Sequence, residues 1–101
     1  MGTAKKRVKR DQPANPLVAE FQKLRLDFAL VDISIAMTFV SLARFDFETG
    51  ETDHAGRLIQ QAERAEETIS KLATDMPEKA NAVISPKLTA LRSAIAETRP
   101  Q

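Results

Sequence analysis

Only a few groups in this chain are of a type and spacing that could carry chemistry. His54 is the single histidine, and it stands beside Asp53. A catalytic or metal-binding imidazole needs further ligands or a proton partner close by. A first-turn histidine on a polar segment reads instead as solvated, and the positive end of a helix disfavours its protonated form. Asp46, Glu48, Glu51 and Asp53 surround Gly50 and superficially suggest a calcium loop. An EF-hand requires glycine at its sixth position and glutamate at its twelfth. Counted from Asp46, glycine falls fifth and Arg57 twelfth, so the pattern fails and the acids read as a solvated turn with helix-capping roles.

Asp32 lies inside the most apolar stretch of the chain. A buried carboxylate costs several kcal/mol unless paired. Arg25, an arginine of another helix, or a group across a dimer interface could pair with it, and a register-setting polar contact is favoured over catalysis. No Ser-His-Asp spacing, glycine-rich phosphate loop or two-carboxylate motif is apparent. With no cysteine there is no disulfide framework, thiolate metal site or thiol nucleophile. The expectation is a non-enzyme without catalytic residues, metal or cofactor. At the other end of the charge scale, Lys5, Lys6, Arg7, Lys9 and Arg10 form a basic N-terminal tail. It could bind phosphates of nucleic acid in a salt-sensitive way, although no aromatic residues interleave for base stacking.

These groups must be positioned by helices. The 101 residues hold three glycines and five prolines, and fit one small domain. Ala, Leu, Glu, Lys, Arg and Gln are plentiful, which favours helix. The net charge of +1 hides an asymmetry, because the basic tail sits on a body with ten basic and fourteen acidic residues. No secretory signal is read, since Asp11 to Pro16 is polar where an apolar core should follow the basic start. Phe28 to Ala43 is 16 residues with Asp32, Ser34, Thr38 and Ser41 inside it, which reads as too short and too polar to span a bilayer. A cytoplasmic protein without a membrane span is the expectation.

The spacing predicts a disordered tail over 1–13 and a single helical domain over 14–98. Asn15-Pro16 is a helix start with Asn15 as cap. Leu17, Phe21, Leu24, Phe28, Val31, Ile35, Phe39 and Leu42 then recur at helical steps until about Glu48, where Thr49-Gly50 ends the run. A second helix opens near Thr52 or Asp53. Its apolar stripe is Ala55, Leu58, Ile59, Ala62, Ala65, Ile69, Leu72, Ala73 and Met76. Asp75, Pro77 and Glu78 signal a third helix, with Ala80, Val83, Ile84, Leu88, Leu91 and Ile95 on one period. Ser85-Pro86 predicts a kink or a restart in it. The fold class is all-α: an antiparallel helical hairpin with a third, Pro-kinked helix in a small bundle.

The first helix has a second apolar stripe, Leu26, Leu30, Ile33, Met37, Val40 and Phe47, nearly opposite the first. Ala29, Ala36 and Ala43, spaced by seven, form a small-residue seam that lets another helix approach closely. A surface helix of a monomer needs one apolar stripe. With the first stripe assigned to the hairpin, Leu26, Leu30, Ile33, Met37 and Val40 become the expected interface with a second copy or a partner helix; the alternative is a compact monomer in which the first helix is a central rod between the other two. The expected function is a protein–protein interaction module that self-associates as a homodimer. The alternative is a small nucleic-acid-associated protein using the basic tail.

The hairpin junction resembles a tetratricopeptide repeat. Phe39, Leu42 and Ala43 occupy three of that motif's places, Gly50 its inter-helix turn, and Ala55, Ile59 and Ala62 follow at its intervals. Asp46 stands where the motif has an aromatic, with Phe45 and Phe47 beside it, and Glu67 replaces its terminal proline. The resemblance covers about 34 residues. It implies two helices crossing closely at small residues, and no second copy of the repeat follows.

Overall fold

The structure is a computed structural model that describes residues 16–100. The basic tail Lys5, Lys6, Arg7, Lys9, Arg10, the tail boundary at residue 13 and the Asn15 cap lie outside the described residues. Three helices follow in order: α1, Pro16–Glu48; α2, Thr52–Thr74; and α3, Glu78–Thr98. No strand occurs among the described residues, so the molecule is an all-α bundle.

Each junction has a local cause. At the end of α1, Gly50 adopts φ +89°, in the left-handed region. The Glu51 N–H then donates to Asp46 O at 2.8 Å and the Gly50 N–H to Phe47 O at 3.4 Å. This is the glycine-terminated cap that satisfies carbonyls at a helix end. A Cβ added at Gly50 would meet no atom within 4 Å. Gly50→Ala should therefore cost only the left-handed backbone penalty, about 1–2 kcal/mol, read as a lower denaturation midpoint at unchanged slope.

At the second junction Asp75 closes α2 rather than capping α3, and Pro77 is the residue before α3. Asn81 Nδ2 reaches back to Ala73 O at 2.8 Å and Met76 O at 3.1 Å. One α3 side chain thus satisfies orphan carbonyls at the end of α2. Pro86 lies within an unbroken α3. The restart does not occur, since the helix runs on through Pro86. Pro86 and Ala82, whose carbonyl loses its helical donor, are both exposed, so water can replace the lost bond.

Cross-links fix the directions of the helices. His54 bonds Asp46 across the first turn. Arg44 Nη2 donates to Thr98 Oγ1 at 3.2 Å, joining the end of α1 to the end of α3. Arg92 Nε donates to Glu66 Oε2 at 2.7 Å, Arg92 Nη2 to Ser70 Oγ at 3.2 Å, and Arg99 pairs with Glu63. The α2 helix therefore runs antiparallel to α1, and α3 returns antiparallel to α2. With 33 residues against 23 and 21, α1 overhangs the hairpin. The excess of ten residues over α2 is roughly 15 Å of helix.

The core is where the correction to the sequence reading lies. On α2 and α3 the expected stripes are buried or half-buried, apart from Val83, which is exposed. On α1 the buried residues are Ala29, Ile33, Ala36, Val40 and Ala43. The interface residues Ile33 and Val40 are thus core residues, and Leu26, Leu30 and Met37 are half-buried against that core. The stripe assigned to the hairpin lies outside: Leu17, Phe21, Leu24, Phe28, Val31, Ile35 and Leu42 are all exposed. The two stripes have exchanged roles.

Side-chain volume explains the exchange. The α2 face in the core carries Ala55, Ala62 and Ala73. Ala29, Ala36 and Ala43 present an equally low surface, so the two backbones can approach, and Ile33 and Val40 fill the space between. Dispersion contacts fall away within an ångström of separation, so close approach gains over a wide, Phe-spaced contact. Ala36 and Ala43 are both 0% exposed. Ala36→Leu or Ala43→Leu should force the helices apart at a cost of about 1–3 kcal/mol, measurable by chemical denaturation.

Candidate interaction surface

The exposed face of α1 is built largely of apolar residues. Leu17 is 72% exposed, Phe28 70% and Leu24 64%. Val18, Phe21, Val31, Ile35, Leu42 and Phe45 are exposed with them. Monomeric soluble proteins rarely leave so long a contiguous apolar strip uncovered. Its N-terminal part lies on the overhang, beyond the reach of α2.

The order along this strip is regular. Leu17, Leu24, Val31, Thr38 and Phe45 form one series of sevens, and Phe21, Phe28, Ile35 and Leu42 another. Together they step by four and three over four heptads, and every member is exposed. Apolar residues repeating every 3.5 positions form the seam of a left-handed coiled coil. The core face of α1 uses the same helix at a different azimuth. A seam and a core stripe therefore coexist on one rod.

Flanking the seam are Glu20 and Asp27 on one edge, and Arg25 and Asp32 on the other. The Arg25 guanidinium lies over the Phe21 ring, 5.9 Å from its centroid. Neither Arg25 nor Asp32 forms an ion pair among the described residues. Asp32 is half-buried and has no cation bonded to it among the described residues.

The remaining chemistry-bearing groups are placed as follows. His54 Nδ1 donates to Asp46 Oδ2 at 2.5 Å, with the imidazole 56% exposed. The expected solvated histidine thus has a carboxylate partner and pins the start of α2 to the last turn of α1. Glu48, Glu51 and Asp53 do not join that pair. No group of three or more His, Asp or Glu among the described residues is arranged to hold a metal ion. Glu67 and Lys71 form the i,i+4 contact on the wet face of α2, 3.4 Å apart; pairs of this kind contribute only a few tenths of a kcal/mol.

As one continuous helix of 33 residues, α1 is long and apolar enough to cross a membrane by length and composition. That differs from the expectation drawn from the 16-residue stretch alone. Core helices of soluble proteins meet the same criterion. Here five α1 residues are buried against α2 and α3.

The buried residues Ala29, Ile33, Ala36, Val40 and Ala43 keep the same four-three spacing as the exposed series, so the period does not tell the two faces of α1 apart. Comparison with protein-family models, with curated proteins and with solved structures finds no match to this chain.

Proposed function

We propose that this chain is a non-catalytic helical interaction module that self-associates as a homodimer through α1. The observation that carries the reading is the exposed heptad seam from Leu17 to Phe45, on a helix whose other side is already committed to the core. The interface sits one face away from Leu26, Leu30, Ile33, Met37 and Val40. The hairpin and α3 act as a brace that holds one side of α1 and leaves the seam presented. Two-fold dimers are the commonest closed assemblies and need only one self-complementary patch.

Sedimentation equilibrium or light scattering tests this directly. The expected mass is twice the 11.2 kDa of the chain. A species of single-chain mass at high concentration refutes the proposal. Retention of the full chain on heparin, lost on deleting residues 1–10, would instead favour phosphate binding by Lys5, Lys6, Arg7, Lys9 and Arg10.

A further inference from the structure

We infer that the two copies pair along α1 in antiparallel orientation, with the two-fold axis crossing between Ala29 and Leu30 and with Arg25 of each copy bonded to Asp32 of the other. This rests on the self-association proposed above and adds its direction and register.

In an antiparallel coiled coil, residues of one heptad series face those of the other, and each flank meets the same flank of its partner. With the axis at this position every seam residue from Leu17 to Leu42 meets a seam residue of the partner. Phe28 faces the partner's Val31, and Leu24 faces the partner's Ile35. Phe21 faces the partner's Thr38, and Leu17 faces the partner's Leu42. Large residues meet smaller or flexible ones, and no two phenylalanines share a layer. On one flank Arg25 meets the partner's Asp32 twice by symmetry, and Val18 meets the partner's Phe39. On the other flank Asp27 and Glu20 meet the partner's Ser34 and Ser41, so no carboxylates oppose one another.

The competing registers lose on charge. Sliding one heptad one way sets Arg25 against the partner's Arg25 and Asp27 against the partner's Asp27. Sliding the other way sets Asp32 against the partner's Asp32 and Glu20 against the partner's Glu48. A parallel pair sets Asp27 against the partner's Asp32 on both sides, which cancels its Glu20 to Arg25 attraction, and stacks Phe28 on the partner's Phe28. Like charges held beside a desolvated seam oppose association and select against these alternatives. The register also supplies Asp32 with the cation it lacks within its own bundle. It seats the overhang of each copy along the braced half of the other, so both apolar overhangs are covered.

The chain has no cysteine, so single-cysteine variants report the geometry cleanly. Leu24→Cys and Ile35→Cys, both at exposed positions, are prepared separately and mixed in a glutathione redox buffer. The expected product is the mixed disulfide dimer, with little cross-linking in either variant alone. Efficient self-linking of each variant would mean parallel helices and would overturn the register while leaving self-association standing. A monomeric Cys-free parent would overturn both. A second measurement uses charge: Arg25→Asp should raise the dimer Kd by about tenfold, and adding Asp32→Arg should restore it. A Kd unmoved by Arg25→Asp, or not restored by the exchange, overturns the Arg25–Asp32 pairing.

Discussion

Replacing Ile33 and Val40 together by glutamate should abolish cooperative folding of the chain, and should do so whether or not the chain is assembled. Ile33 is 4% exposed and Val40 2%, and both belong to the single cluster that joins the three helices. Each substitution removes a branched apolar side chain from that cluster and leaves a carboxylate in its place. Loss of the apolar contact costs about 2–5 kcal/mol for a residue of this kind, before the charge is counted. Burying the charge adds several kcal/mol, or forces the core to open to water. The two positions lie two turns apart, so their effects should add in large part. The total reaches the whole stability of a small domain, about 5–15 kcal/mol. Circular dichroism should show helicity falling far below the parent's, with no sigmoidal melt. A double variant that stays helical and melts cooperatively would place these residues at an outer surface, against the packing described.

The second large effect is the converse. Phe28→Glu with Ile35→Glu places two charges on the exposed seam, at positions 70% and 46% exposed. Nothing in the intrachain core is disturbed, so the parts of the three helices that pack on one another should persist. Across the proposed dimer, four carboxylates would enter the central layers without partners. Removing hydrated charges from water without compensation opposes association strongly, and truncation at the centre of an interface can alone cost 2 kcal/mol or more. The double variant should therefore sediment as a single chain at concentrations where the parent is paired. It should keep most of its helical signal, with some loss over the overhang, where an isolated helical segment has little to hold it. An unchanged association state would remove the seam from the interface. The two variants read together separate core from seam, since one loses the fold and the other only the partner.

Much of the architecture follows from local sequence alone. Pro16 opens α1, and Thr49-Gly50 closes it, because only a residue free to take positive φ can complete that cap. The α2 stripe is legible because its polar and apolar residues are well separated around the helix, leaving one face to bury. The α3 stripe is legible as well, except at Val83. The basic tail and the absence of cysteine can likewise be read directly from composition.

Which face of α1 is inside could not be decided that way. Apolar residues surround its middle, so hydrophobic pattern offers two candidate faces of similar strength. Only the tertiary structure supplies the criterion, which is the shape of the surface α2 brings to meet it. Ala55, Ala62 and Ala73 make that surface shallow, and it is matched by Ala29, Ala36 and Ala43 rather than by a row of phenylalanines. Burial depends on the fit between two elements, a property of the pair that neither helix carries in its own residues.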